Sequence, residues 1–139
     1  MELKTLTYTS RARLDLTAAD VGAIHRTARH LNALDGVTGL LVFDGSRFLQ
    51  IVEGAAEAID DLLARLRRDP RHDALEIRDE RMVAARSFPD WSMELIHVSA
   101  GYFEARAELE TILPQGVAPA VRALILRMSD TMAGTLRME

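Results

Sequence analysis

The sequence predicts an α+β fold: a ferredoxin-like β-α-β-β-α-β-β sheet with two helices on one face, plus C-terminal helices capping the other face. Three observations predict it. Apolar residues switch between a spacing of two and a spacing of three to four in that element order. Asp44-Gly45 separates two short apolar runs, the strongest short-range hairpin signal, because glycine accepts the positive φ of such a turn. Gly36 and Pro70 close the two helical segments.

The first strand is "LKTLTYTS", which puts Leu6, Tyr8 and Ser10 on one face and Thr5, Thr7 and Thr9 on the other. A helix follows in "LTAADVGAIHRTARHLNALDG", where Thr17 with Asp20 three residues later is an N-cap signature. Val21, Ile24, Ala28 and Leu31 recur at helical spacing, and Asn32 lies four residues beyond Ala28, on the side that carries Ile24. "VTGLLVF" and "RFLQIVE" are adjacent antiparallel strands. The second helix, in "GAAEAIDDLLARLRRDP", carries Ile59, Leu62, Leu63 and Leu66 on one stripe. "ALEIRDERMV" and "WSMELIHVS" supply two more strands.

From Gly101 the pattern changes. "EARAELETIL" and "PAVRALILRMSDTM" read as helices, the second starting at Pro119 with Val121, Leu124, Ile125 and Met128 on a stripe. They are expected to cover the open face of the sheet. Residues 1–99 therefore read as the sheet domain and 100–139 as a helical extension of the same unit.

Composition narrows the function. The 139 residues are 48% hydrophobic and 27% charged, the balance of one globular domain. A net charge of -4 without a basic stripe lacks the footprint of a nucleic-acid binder. The chain has no cysteine, no signal-peptide pattern and no apolar run of membrane-spanning length, so a soluble, cytoplasmic protein is expected. His25, His30, His72 and His97 lie at no ligand-like spacing, so no metal is expected, and neither a phosphate-binding glycine loop nor a nucleophile elbow is present.

What remains is a set of polar residues at positions expected to be apolar. Gln50 sits in the middle of a buried strand, where an amide without partners costs roughly 1–3 kcal/mol by mutational estimates. With the first and third strands adjacent, Tyr8 lies beside Gln50 on the helix-facing side. Ile24 and Asn32 reach the same place from one helix and Leu66 from the other. Each has a bland reading: core tyrosine, local cap, structural amide network. Together they outline a slot with apolar walls and a hydrogen-bonding edge, suited to a planar heteroaromatic ligand such as a flavin. An enzyme using Tyr8 as acid or base, or an interaction module in which Gln50 meets only protein groups, would also bring these residues together.

Four segments resemble the BLUF domains, blue-light sensors that use FAD: "LTYTSRA" at 6–12, "GVTGLLVFDGSRFLQIVEG" at 36–54, "DPRH" at 69–72 and "RSFPDWSM" at 86–93. The resemblance implies a light-driven hydrogen-bond switch without substrate turnover. Tyr8 reduces the photoexcited flavin with its proton following, and Gln50 bridges phenol and flavin. Recombination leaves Gln50 rearranged, by rotation or by tautomerisation, with a small red shift from a stronger bond to the flavin C4 carbonyl.

The same resemblance assigns Asn32 and Arg71 to the pyrimidine edge of the ring, Asp69 and His72 to the ring or ribityl chain, and Ile24 and Leu66 to the two ring faces. Trp91 and Met93 resemble the pair that passes the switch through the last strand to the C-terminal helices. One departure concerns Leu31, where many relatives carry Asn or His; a polar contact is lost, which bears on the choice among FAD, FMN and riboflavin. The resemblance further implies a homodimer through the second sheet face and a downstream protein effector.

Overall fold

The computed structural model describes residues 2–43, 46–88 and 92–97, together with Leu113, Pro119, Ala120, Arg122, Ala123 and Leu126. Seven elements follow one another: β1 (Leu3–Ala12), α1 (Ala18–Leu34), β2 (Thr38–Phe43), β3 (Arg47–Ala55), α2 (Ala56–Arg68), β4 (His72–Val83) and β5 (Ser92–His97). The order of elements is the one the sequence predicts. The turn at 44–45 and most of the C-terminal helices lie outside the described residues.

The strands form one sheet in the order β4-β1-β3-β2-β5. β1 pairs antiparallel with β3 and β4, and β2 antiparallel with β3, which is the ferredoxin-like core. The fifth strand departs from an all-antiparallel sheet: β5 runs parallel to β2 on the edge opposite β4. The chain therefore crosses from one edge of the sheet to the other between residues 83 and 92.

Both helices pack on one face. Leu6, Phe48 and Val52 from the sheet meet Val21 of α1 and Ile59 and Leu62 of α2, with Ile24, Ala28 and Leu66 at the border of this core. Helix α1 starts with a full capping box, in which the Thr17 side chain accepts from the Asp20 amide while the Asp20 carboxylate accepts from the Thr17 amide. Helix α2 has no side-chain cap, but Arg65, Arg67 and Arg68 in its last turn complement its dipole. Lys4 of β1 ties the layers together through Asp60 of α2 at 2.8 Å and Glu80 of β4 at 2.7 Å.

The second face is buried as well. Leu40, Val42, Leu49 and Ile51 point away from α1 and α2 and are buried, as are Thr5, Thr7 and Thr9 beside them. Strand β4 is an edge strand with most of its side chains exposed and a charged composition, a common protection against edge-to-edge pairing. It starts at His72, two residues earlier than "ALEIRDERMV" suggested, because Arg11 and Ala12 of β1 continue the ladder to Asp73 and His72.

Candidate functional site

A cavity of about 250 Å³ opens between the sheet and the two helices. Helix α1 contributes Ile24, Thr27, Ala28, Leu31 and Asn32, and helix α2 contributes Leu62, Arg65 and Leu66. Tyr8, Leu41, Phe48 and Gln50 form the floor, and Asp69, Arg71 and His72 the side. Every cofactor-contacting residue expected from the sequence thus lies on this one cavity. Both helical contributions follow the i, i+3, i+4 rhythm of a single face.

The register of β1 and β3 sets Tyr8 directly opposite Gln50, with Leu41 of β2 on the other side of the glutamine. The Tyr8 hydroxyl donates to Gln50 Oε1 at 2.5 Å, and both side chains are buried. Burial, with the nearby Asp69 carboxylate as a second cause, pushes the Tyr8 phenol well above its ordinary value of 10.0. The phenol is therefore held protonated and acts as donor. Oε1 must then accept, which turns the Gln50 NH₂ group away from Tyr8.

That NH₂ group meets Met93. Gln50 Nε2 donates to Met93 Sδ at 3.2 Å, and Met93 is fully buried. A thioether is a weak acceptor and can take only one of the two N–H groups, so the second is left for a ligand in the cavity. The backbone of Met93 is unusual. Its φ is +78°, and it stands between Ser92, opposite Gly39, and Glu94, opposite Leu40, so it is the extra residue of a bulge. The bulge turns its side chain onto Gln50. The Met93 carbonyl also faces His25 Nε2 of α1 at 2.8 Å, which fixes the bulge from the helix side.

Of the two residues expected to relay the switch, Met93 is the one seen beside Gln50; Trp91 lies outside the described residues. Gly39, across from the bulge, could not be any other residue without a shift, since a Cβ there would lie 1.9 Å from the Ile51 carbonyl oxygen.

Asn32 is 2% exposed and its Nδ2 has no partner among the described residues. Its backbone carbonyl, in contrast, accepts from Val37 at 2.7 Å. A local side-chain cap does not account for it. A buried amide left open on a cavity wall is a donor awaiting an acceptor, such as a ring carbonyl. Asp69 and Arg71 form a tight pair, with Arg71 Nη2 to Asp69 Oδ2 at 2.6 Å; this pairing holds the Asp69 carboxyl below its ordinary value. His72 bridges the Ser10 hydroxyl and the Leu66 carbonyl, both at 2.7 Å. The carbonyl can only accept, so Nε2 carries the proton and a neutral ring takes the Ser10 hydroxyl on Nδ1.

The sequence reading passed over Arg65, Thr27 and Leu41 as cavity residues. For Arg65 a signal existed, since it lies three residues after Leu62 on the same helix. Its Nε is buried and unpartnered among the described residues, while its Nη2 reaches Asp35 at 3.5 Å. Leu31, the departure noted in the sequence, lines the cavity with an apolar side chain and is partly exposed. Among the described residues no cluster of His, Cys, Asp or Glu could hold a metal ion, and no helix is long and apolar enough to cross a membrane.

The profile of the BLUF family, sensors of blue-light using FAD, matches residues 3–94. The chain belongs to the BLUF family. It is similar to the photoactivated adenylate cyclase subunit beta of Euglena gracilis, 36% identical over 92 residues, which are 66% of this chain and 11% of the relative. The chain thus spans about a tenth of that relative's length, and the match is confined to the BLUF part. Among solved structures it is similar to the dark-state structure of the BLUF protein BlrB, with a TM-score of 0.70 and 34% identity over 96% of this chain and 97% of that one.

Klebsiella pneumoniae BlrP1 with FMN and cyclic diGMP is also similar, with a TM-score of 0.65 and 32% identity over 69% of this chain and 26% of that one. BLUF domains bind FAD or FMN, and this BLUF protein is a flavin-binding blue-light sensor. The cavity suits that role. It offers apolar walls from Ile24 and Leu66, the open Asn32 amide and the second N–H of Gln50.

Proposed function

We propose that Tyr8 and Gln50 are the light-driven switch of this BLUF protein and that Met93 carries the change into β5. The observation that carries the reading is the buried hydrogen bond from Tyr8 to Gln50 Oε1, at the floor of the cavity between the sheet and the two helices. A flavin held in the cavity would supply the blue-light absorption and, in its excited state, an electron acceptor. Tyr8 supplies that electron. Because burial holds its phenol protonated in the dark, Tyr8 gives up its hydroxyl proton only together with the electron.

Gln50 Oε1 lies where that proton leaves. A carboxamide is nearly symmetric in shape but not in hydrogen bonding, so rotation or tautomerisation exchanges its donor and acceptor ends without moving β3. Electron and proton then return to Tyr8, with Gln50 left in the second arrangement and a red-shifted absorption. The new arrangement withdraws an N–H from Met93 Sδ. The bulge in β5 then loses one of the contacts that bias its conformation.

Around the switch, Ile24 and Leu66 sandwich the ring, Asn32 and Arg71 hold its pyrimidine edge, and Asp69 and His72 meet the ring or the ribityl chain. The unit 1–99 is the sensor and 100–139 its extension. The chain itself turns over no substrate. Its output passes to a protein effector or through a change in a homodimer, in the cytoplasm, without nucleic acid or membrane as partner.

The test is optical. The purified protein should be yellow and shift its absorption reversibly to the red under blue light. Gln50→Leu and Tyr8→Phe should each keep the flavin and lose the shift. A full reversible shift in Gln50→Leu would remove the glutamine from the mechanism.

A further inference from the structure

Glu53 lies three residues beyond Gln50 on β3 and is 1% exposed, yet its carboxylate meets no cation among the described contacts. It is satisfied by backbone instead. Its Oε1 accepts from the Ser87 amide at 2.9 Å and the Phe88 amide at 2.7 Å, and its Oε2 accepts from the Ser87 amide at 3.0 Å. The same segment is fastened a second time: Arg86 Nη1 donates to the Glu53 carbonyl at 3.0 Å and to Thr38 Oγ1 at 2.9 Å. Phe88 is then buried, with 1% of its surface exposed. A buried carboxylate used this way is costly unless all its partners stay in place, because bonds to a charged acceptor are stronger than neutral ones and their loss leaves the charge uncompensated.

What this clamp holds is the segment that launches β5. Four residues separate Phe88 from Met93, whose φ of +78° is a conformation a non-glycine residue keeps only when its surroundings over-determine it. The His25 contact restrains the Met93 carbonyl from one side. The Glu53 and Arg86 bonds anchor the chain just before it from the other.

We infer that Glu53 is a positioning residue of the switch: by gripping the Ser87 and Phe88 amides it sets the Met93 bulge against Gln50, and so governs how long the light-induced arrangement lasts. The inference rests on the assignment of Gln50 as the switch.

Its test is the rate of dark recovery of the flavin-loaded protein after a blue-light pulse. Glu53→Gln keeps the shape but replaces an acceptor oxygen with a donor group that opposes the backbone N–H groups. It should recover about three- to tenfold faster, as expected when a barrier falls by the net value of one hydrogen bond. Arg86→Ala, which loosens the same segment without touching the carboxylate, should move recovery the same way. Lys4→Ala is the control. It removes the bridge to Asp60 and Glu80 on the helix side of the sheet, whereas the Glu53 side chain, one place on from Val52, leaves β3 on the opposite side, and it should lower the melting temperature while recovery stays at the wild-type rate.

Wild-type recovery in both Glu53→Gln and Arg86→Ala would overturn the inference. So would equal acceleration in Lys4→Ala, which would mean that any loosening of the fold suffices. Should Glu53→Gln lose its flavin, Arg86→Ala decides alone. Absence of a red-shifted state in the wild-type protein would instead strike the switch assignment itself.

Discussion

Met93 Sδ lies 3.2 Å from Gln50 Nε2, and the residue that brings it there is a bulge with φ +78°. Backbone strain of that kind costs roughly 1–3 kcal/mol, so the contact is held in place by its surroundings and not by its own preference. Two further features of the same region point the same way: the His25 contact to the Met93 carbonyl and the bare backbone of Gly39 opposite.

Met93→Gly separates strain from packing. Glycine relieves the positive φ, but it also restores freedom to the unfolded chain, so the net gain is about 1 kcal/mol. It also deletes a fully buried side chain, and Met→Ala changes in cores cost about 2–5 kcal/mol. Packing wins, so denaturant unfolding should show a net loss of about 1–4 kcal/mol. Met93→Leu keeps the volume but not the sulfur acceptor. It should retain flavin and the red shift and change the recovery rate several-fold, as read by absorbance decay.

Gly39→Ala should be far worse than a surface substitution. Its Cβ would sit 1.9 Å from the Ile51 carbonyl oxygen, and the obstacle is backbone, which cannot rotate aside. Its φ of +153° is a second obstacle. A loss above about 3 kcal/mol is expected, in the range reserved for strain or clash at a special backbone position. Thermal melting or the soluble yield of the variant checks it.

Asn32→Leu should act on the ligand and not on the fold. Among the described residues the Asn32 amide nitrogen is buried and has no partner, so an isosteric apolar side chain removes an unsatisfied group, a change that is nearly neutral or stabilising for the flavin-free protein. With flavin bound, one hydrogen bond is missing. Dissociation constants should rise about 5- to 30-fold, corresponding to roughly 1–2 kcal/mol. A destabilised flavin-free protein with unchanged affinity would return Asn32 to a structural role.

These expectations show where the sequence was legible and where it was not. The capping box at Thr17 and Asp20, the alternation of β1 and the stripe of α2 are local patterns, and local patterns survive folding. Tyr8 and Gln50 stood out because each interrupts such a pattern, and the pairing of β1 with β3 then brings them together. The side of the sheet taken by β5 is a long-range choice with no local mark, and nothing in "WSMELIH" announces a bulge at Met93. The sign lay elsewhere, in Gly39 within "VTGLL", since a glycine inside a strand often marks a bulge or a close backbone approach. Glu53 was invisible for another reason. Its partners are backbone amides, which every sequence possesses.

The Tyr8 phenol makes a prediction about alkaline pH. Its folded value lies above the ordinary 10.0, chiefly because burial penalises the phenolate. Stability rises with pH only where the unfolded state binds more protons. Above about pH 10 the opposite holds, because unfolded chains release the Tyr8 proton while folded ones keep it. Tyr8's contribution is therefore flat and fully present below that pH, and is lost as the pH climbs through the folded value. Denaturant midpoints measured from pH 7 to 11 should fall less steeply at the alkaline end in Tyr8→Phe than in the wild-type protein. The amplitude of the light-induced shift should stay constant between pH 6 and 9 so far as Tyr8 governs it, since its dark protonation does not change there. A shift that titrates away near pH 8 would mean that the phenol is not held as a buried donor to Gln50.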